Sequence, residues 1–433
     1  MATNAQVGLA QSLNPKPLSL RKGFAWSFGG NLTYALCQWG VLIIIAKLGN
    51  PAMLGKFALA LAISAPVFIL TNLQLGAIIA SDATHEYQFN HYLALRILGS
   101  MAALSFILLL VLAGGFHRET AGLLLAVTFA KTAESFSDII YGLWQKYERF
   151  EKMAIALGSR GVGSLCVMAT ALHFSHNIAV SAAALAVWWA FWLATYEYNG
   201  AKKVLGVYVP GGLPRPNWDQ VHLKKLVSLS WPCGVIVLLL ALTANIPRYF
   251  IQHYLGYAPL GYFAAIAYLP VAGNTVIGAM CQSALPRLSR YFYSNPQAYL
   301  LLLKRMAVIA LSVGIGLAAI VAFFGPSILR LIYSREYGNY GPVFLWMMIA
   351  GAFAYVSSVL GYGMTAARRF REQIPLFLMA MAITAAACWA TVPHFGLIGG
   401  AYAVLLGSLL SSAGSAGIIY AALRSQVVQQ RLV

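Results

Sequence analysis

Phe129–Ala130–Lys131–Thr132–Ala133–Glu134–Ser135–Phe136–Ser137–Asp138–Ile139–Ile140–Tyr141 lies inside an apolar run from about residue 122 to 144. That run is long enough to cross a bilayer. Lys131, Glu134 and Asp138 fall at i, i+3 and i+7. On a helix they share one face, within an arc of about 60°. A charge at the centre of a membrane helix costs about 2.5–3.5 kcal/mol on insertion scales. Three on one stripe are tolerable only if they face protein or water and neutralise one another. The next apolar run carries Arg160. Counted from the shared loop at 1.5 Å per residue, Asp138 lies about 9 Å and Arg160 about 12 Å into their helices. Antiparallel neighbours would bring Arg160 to Asp138 or Glu134. The stripe reads either as an ion-bearing site in a transport pathway or as a clasp pinning two helices.

Composition makes the surrounding chain a membrane protein. It has 433 residues, 60% hydrophobic and 9% charged, where a soluble domain carries about 25% charged residues. No extramembrane segment is long enough to fold as a domain. The net charge of +18 belongs to the loops of a membrane protein, not to a nucleic-acid partner. The cysteines are scattered without a CxxC pair, so no disulfide framework or metal site is indicated. The histidines show no metal-binding or catalytic grouping.

About twelve spans follow from the apolar runs: roughly 24–46, 55–80, 92–114, 121–144, 153–173, 178–198, 226–249, 259–285, 307–329, 341–366, 374–392 and 398–422. The longest polar interruption divides them six and six. The expected organisation is an N-lobe over 1–198, a cytoplasmic linker over 199–225 and a C-lobe over 226–433. With the N-terminus cytoplasmic, the outer loops hold only Lys47, Lys56, Arg118, Arg248, Arg330 and Arg335. The inner ones hold the bulk of the cations, including Lys202, Lys203, Lys224 and Lys225. Both termini are therefore expected in the cytoplasm.

Two stretches echo each other. Leu54–Gly55–Lys56–Phe57–Ala58 opens the second span, and Leu260–Gly261–Tyr262–Phe263–Ala264 opens the eighth. Each is followed by a proline within its span, Pro66 and Pro270. Six spans per half give both copies the same orientation, a parallel repeat about an axis along the membrane normal. The expected fold is all-α, two six-helix lobes around a central cavity. Asn31, Tyr34 and Gln38 share one face of the first span, again at i, i+3 and i+7. They read as cavity-lining groups or as hydrogen-bonding glue between helices. The second half is poor in buried charge, so any coupling through carboxylates belongs in the first.

The order and spacing of several short motifs resemble a known family. They are Arg21–Lys22–Gly23–Phe24–Ala25–Trp26, Leu54–Gly55–Lys56–Phe57–Ala58–Leu59, Leu260–Gly261–Tyr262–Phe263, Pro286–Arg287–Leu288 and Gly396–Leu397–Ile398–Gly399–Gly400–Ala401–Tyr402. Together they are similar to lipid-linked oligosaccharide flippases, the polysaccharide-export branch of the MOP superfamily. The resemblance implies a twelve-helix, two-lobe fold working by alternating access in a bacterial inner membrane. Its cargo would be an oligosaccharide on polyprenyl diphosphate, and its partner proteins a polysaccharide polymerase and a chain-length regulator. It implies no cofactor, and leaves coupling to protons or sodium open. The peptidoglycan-precursor branch typically has two further C-terminal helices beyond the twelve spans expected here, so the resemblance implies a cargo other than that precursor.

A diphosphate leaving water needs cations, and Arg suits phosphate by bidentate hydrogen bonding. Arg160, Lys131 and Arg96 are the candidates in the first half, and Arg248 at the outer end of the seventh span. Asn31, Tyr34 and Gln38 offer neutral partners for sugars, and Glu134 and Asp138 are the candidate ion-coupling carboxylates. Competing readings are a drug or small-cation antiporter of the same superfamily, a membrane enzyme that polymerises or ligates oligosaccharide, and a scaffold in an envelope-synthesis complex. An acidic cavity would favour the first and a large catalytic outer loop the second. The sequence shows neither.

Overall fold

The computed structural model describes residues 20–82, 87–208 and 214–431, and those residues contain helices and no strand. The helices are α1 Leu20–Leu48, α2 Pro51–Asn72, α3 Leu75–Ser81, α4 Phe89–Ala113, α5 Arg118–Lys146, α6 Phe150–Ser175 and α7 Ile178–Trp192. A π turn, Leu193–Glu197, leads into α8 Tyr198–Tyr208. There follow α9 Gln220–Leu255, α10 Tyr257–Ser294, α11 Pro296–Ile332, a 3-10 turn Arg335–Tyr340, α12 Gly341–Ala366, α13 Phe370–Phe395 and α14 Leu397–Arg431.

Among the described residues, eleven helices or helix pairs are long and apolar enough to cross a membrane. The chain is a multi-pass membrane protein. The expected span at 121–144 is also a helix, α5, and its 29 residues would extend about 43 Å at 1.5 Å each. It is kept out of the apolar set by its own charges, Lys131, Glu134 and Asp138 among them. The described residues of the segment expected as a linker, 199–225, are mostly helical: α7 continues through the π turn into α8, which ends at Tyr208, and α9 begins at Gln220.

The chain divides into two compact units. Unit 1 takes the described residues through Ile44 together with Ile63–Gly234, and unit 2 takes Ile45–Ala62 together with Val235 onward. Residues 45–62 thus group with the second half of the chain.

In unit 1, α5 packs against α3, α4, α6 and α7. Small residues set the spacing. A Cβ on Gly142 of α5 would stand 2.9 Å from the Gly76 Cα of α3, and one on Gly161 of α6 would stand 2.9 Å from the Cys37 Cβ of α1. Helices in membranes associate through such close backbone approach, because lipid removes the hydrophobic drive between them. The core around Trp144, Leu75, Ile139 and Ala156 is fully buried.

In unit 2, α12 lies against α10, α11 and α14. Buried tyrosines are satisfied by helix carbonyls: Tyr299 donates to Gly363 at 3.0 Å, Tyr333 to Ala265 at 2.9 Å and Tyr355 to Pro270 at 2.7 Å. Each phenol gives the apolar face of its ring to the core and its hydroxyl to an acceptor, as a buried Tyr requires.

Candidate functional site: a charged cluster in unit 1

The stripe on α5 forms two ion-pair centres. Asp138 Oδ2 lies 2.7 Å from Arg96 Nη2 on α4. Arg96 is fully buried, whereas the Asp138 side chain is 46% exposed. One turn away, Glu134 takes Lys131 Nζ at 2.6 Å and Arg160 Nη2 at 3.6 Å. Tyr34 on α1 sits between the last two, accepting from Arg160 Nη2 at 3.1 Å and donating to Glu134 Oε1 at 3.1 Å. Arg160 therefore meets Glu134 and not Asp138, because the buried Arg96 already holds Asp138 from α4. Each partner offsets insertion costs of about 2.5–3.5 kcal/mol per charge.

The surroundings hold the guanidinium of Arg160 in place. Its Cζ lies 5.1 Å from the Tyr34 ring centroid, 5.8 Å from Tyr141 and 4.7 Å from Trp189. Aromatic faces attract a guanidinium through their quadrupole. The Arg160 carbonyl accepts from Trp188 Nε1 at 3.2 Å and from Ser164 Oγ at 2.6 Å, and Ser164 accepts from Trp189 Nε1 at 2.8 Å. Arg160 Nε and Nη1 and Arg96 Nε are buried, with no hydrogen-bond partner among the described residues. A buried donor without an acceptor costs about 1–3 kcal/mol, more when charged. Both arginines thus retain hydrogen-bonding capacity for an added acceptor.

Other residues complete the cluster. Ser135 receives Arg96 Nη1 at 3.5 Å and donates to Asn72 Oδ1. Asn72 ends α2, where the chain breaks: Leu73 and Gln74 take positive φ angles of 50° and 55° before α3 begins. A Cβ on Gly76 would stand 2.6 Å from Asp138 Oδ1, so glycine is what lets α3 lie against the carboxylate.

Glu197 escaped the sequence reading. It is fully buried, accepts from Tyr141 Oη at 2.6 Å and also accepts from Ser137 Oγ. Both donors lie on α5 within the decisive stretch. The preceding signal was present, since Tyr196–Glu197–Tyr198 still carries aromatic residues on both sides. Asn199, Lys202 and Lys203 follow it, a pattern that in sequence marks the end of a span.

The remaining candidates are placed differently. Lys131 is on the cluster, as described. Asn31 is exposed and donates to its own helix at the Ser27 carbonyl, 2.8 Å away. Gln38 Nε2 is buried without a hydrogen-bond partner among the described residues. Of the three residues on that face of α1, only Tyr34 joins the charges. Arg248 belongs to unit 2, where it donates to Asn245 Oδ1 at 3.0 Å. Unit 2 also contains a cavity of about 660 Å³ whose walls include Thr243, Asn274, Ser357, Ser358, Gln373 and Ser408. Away from the cluster, His91 stacks on His222 in unit 1, a histidine grouping that the sequence reading did not find.

The chain matches the model of a family described as polysaccharide biosynthesis protein over residues 20–292. It is 24% identical over 391 residues to the capsular polysaccharide biosynthesis protein CapF of Staphylococcus aureus, covering 90% of this chain and 96% of CapF. An inward-facing multidrug resistance MATE family transporter of the MOP superfamily superposes with a TM-score of 0.71 at 13% identity, over 91% of this chain and 95% of the transporter. The lipid II flippase MurJ, in an inward closed conformation, superposes with a TM-score of 0.70 at 12% identity, over 90% of this chain and 86% of MurJ. At such identities the two structures speak for the fold alone.

Proposed function

The chain belongs to the polysaccharide biosynthesis protein family, and from that premise we propose that it is a flippase for polyprenyl-diphosphate-linked oligosaccharide repeat units. It would carry them from the cytoplasmic to the outer leaflet of a bacterial inner membrane by alternating access, with both termini in the cytoplasm. The product would feed assembly of O-antigen, capsule or exopolysaccharide.

The observation that carries this reading is the pair of buried arginines. Arg96 and Arg160 have spare guanidinium donors, and their carboxylate partners Asp138 and Glu134 remain partly accessible. An arriving diphosphate supplies paired phosphoryl oxygens that the planar fork of an arginine can bind with two parallel hydrogen bonds. It would compete with the carboxylates, and protonating one of them lowers the cost of giving its arginine up. The same site would thus link cargo binding to proton uptake at Glu134 or Asp138, and cargo release to the loss of that proton. The hydroxyl and amide groups around the unit 2 cavity are suited to neutral sugars, which need hydrogen-bonding partners of both senses. The names of the relatives agree with a sugar-bearing cargo: CapF is a capsular polysaccharide protein and MurJ a lipid II flippase.

The test is a clean deletion of the gene. Polyprenyl-diphosphate oligosaccharide should accumulate in the inner leaflet while its synthesis continues and surface glycan is lost. Normal surface polysaccharide in a strain without a paralogue would refute the proposal. Single repeat units reaching the outer face unpolymerised would instead identify a polymerase.

A further inference from the structure

In unit 1, two segments distant in sequence bring nitrogen and oxygen ligands together. His91 lies in the first turn of α4, Asp219 immediately precedes α9, and His222 lies in its first turn. One ligand atom from each lies within 4.8 Å of the other two. The imidazoles of His91 and His222 are stacked, with centroids 4.8 Å apart and planes 10° apart. His222 Nδ1 is 2.6 Å from Asp219 Oδ2.

The arrangement is built and not incidental to two exposed side chains. Asn90, next to His91, receives the Asn217 amide on its carbonyl at 3.0 Å and the Arg215 amide on its Oδ1 at 3.3 Å. These bonds fix the segment before α9 against the start of α4. Asp219 is then anchored as a cap by the Val221 amide, 2.9 Å from Oδ1. Tyr87 closes one side, edge-on to His222 at 6.3 Å.

A simple Asp219–His222 capping pair leaves one fact unexplained. His91 is 5% exposed, and its Nδ1 is buried with no hydrogen-bond partner among the described residues. A neutral imidazole nitrogen is a metal ligand as readily as a hydrogen-bond acceptor. We propose that His91, Asp219 and His222 form a binding site for a divalent first-row transition metal ion, for which zinc is the probe. Two imidazole nitrogens and one carboxylate oxygen are the donor set that such ions prefer over magnesium or calcium. Zinc–nitrogen bonds of about 2.0–2.1 Å require the donors to draw together and the stacked rings to fan apart. His222 can provide that movement, since its side chain is 43% exposed. The bound ion would tie the first turn of α9 to the first turn of α4. This assignment is independent of the cargo, and its test involves no transport.

The full-length protein, purified in detergent without an affinity tag and stripped with a chelator, is titrated with zinc. Binding is read by metal analysis after equilibrium dialysis and by the shift in Tm. The expected result is a single tight ion per chain and a higher Tm. Asp219→Asn and His222→Ala alter partly exposed side chains, so folding is not at stake. Each should weaken zinc binding by more than the roughly 10–100-fold typical of losing an outer-shell partner. His222→Cys, which keeps a zinc ligand, should restore most of it. His173→Ala with His176→Ala, on exposed residues elsewhere, should change nothing. Zinc that the wild type does not retain, or that the Asp219 and His222 variants retain equally, overturns the assignment.

Discussion

Gly55 and Gly261 each occupy the space against which the other's helix begins. A Cβ on Gly55 would overlap the Tyr257 carbonyl oxygen at the start of α10, and one on Gly261 would overlap the Pro51 carbonyl oxygen at the start of α2. They are the central glycines of the two echoing motifs, and both lie in unit 2. A contact in which each partner repeats the other's role is what two-fold symmetry produces. Either Gly→Ala change should therefore destabilise by about 1–3 kcal/mol through overpacking, seen as a lower Tm in detergent. Gly278→Ala is the control, since nothing lies within 4 Å of its Cβ position. There the change should be neutral or stabilising, by up to about 1 kcal/mol.

The two ion-pair centres should respond differently to losing one partner or both. Asp138→Leu leaves the fully buried Arg96 uncompensated, which costs about 3–5 kcal/mol. The double variant Arg96→Met with Asp138→Leu removes both charges and should recover most of the stability. If the cluster is a working site, that stable double variant still fails to deliver glycan to the surface. Normal export by it, measured by surface glycan labelling at equal protein level, would make the pair a structural clasp.

Arg160→Lys separates charge from geometry. Lysine keeps the attraction to Glu134 but loses the planar fork and much of the stacking on Tyr34, Tyr141 and Trp189. The variant should reach the membrane at wild-type level and export poorly. Glu134→Gln should do the same while relaxing the dependence of export on external pH, because it removes a titrating partner.

Glu197 should tolerate an isosteric amide better than an apolar replacement. Glu197→Leu takes the acceptor from the Tyr141 hydroxyl, at about 1–3 kcal/mol for a buried group left unmatched, whereas Ser137 Oγ keeps the Ala133 carbonyl at 3.0 Å. Adding Tyr141→Phe removes the unmatched hydroxyl and should restore part of the lost Tm. No restoration would place the cost in packing instead.

Orientation is checked by reporter fusions. A reporter after Arg424 should be active in the cytoplasm, and one between Gly114 and Glu119 outside, as the loop charges require. An intracellular signal from the second would reverse or break the map.

Much of the architecture was legible because hydrophobic length and loop charge are direct consequences of bilayer physics. The runs that became α4, α6 and α12 announce themselves by length alone. The stripe on α5 was legible too, since Lys131, Glu134 and Asp138 keep helical spacing. Their partners were less so. Arg96 and Arg160 were visible as buried cations, yet sequence gives helix neighbours only along the chain. Depth matching favoured α6 for Asp138, while the actual partner comes from α4. Glu197 was hidden for another reason: a charged run downstream looks like the end of a span, and nothing in local composition marks a π turn. Likewise His91 and His222 lie 131 positions apart in the numbering, and their segments meet through the hydrogen bonds to Asn90 and the shared packing of Phe89, Tyr92, Leu223 and Leu226, none of which local sequence reveals.

The π turn at Leu193–Glu197 also has a genetic consequence. Such a turn holds one residue more than the α-helix around it needs. An in-frame loss of a single codon within this turn would let the helix relax to regular winding while the phase of the helix beyond it is largely kept. Ala201, Val204 and Leu205 would stay on the buried side of α8. A one-codon deletion in α7 has no such slack: it turns one side of the helix against the other by about 100°, so that Trp188 and Trp189 on one side and Glu197 on the other could not all keep their partners. In a library of single deletions this short interval should stand out as tolerant against the flanking turns of α7.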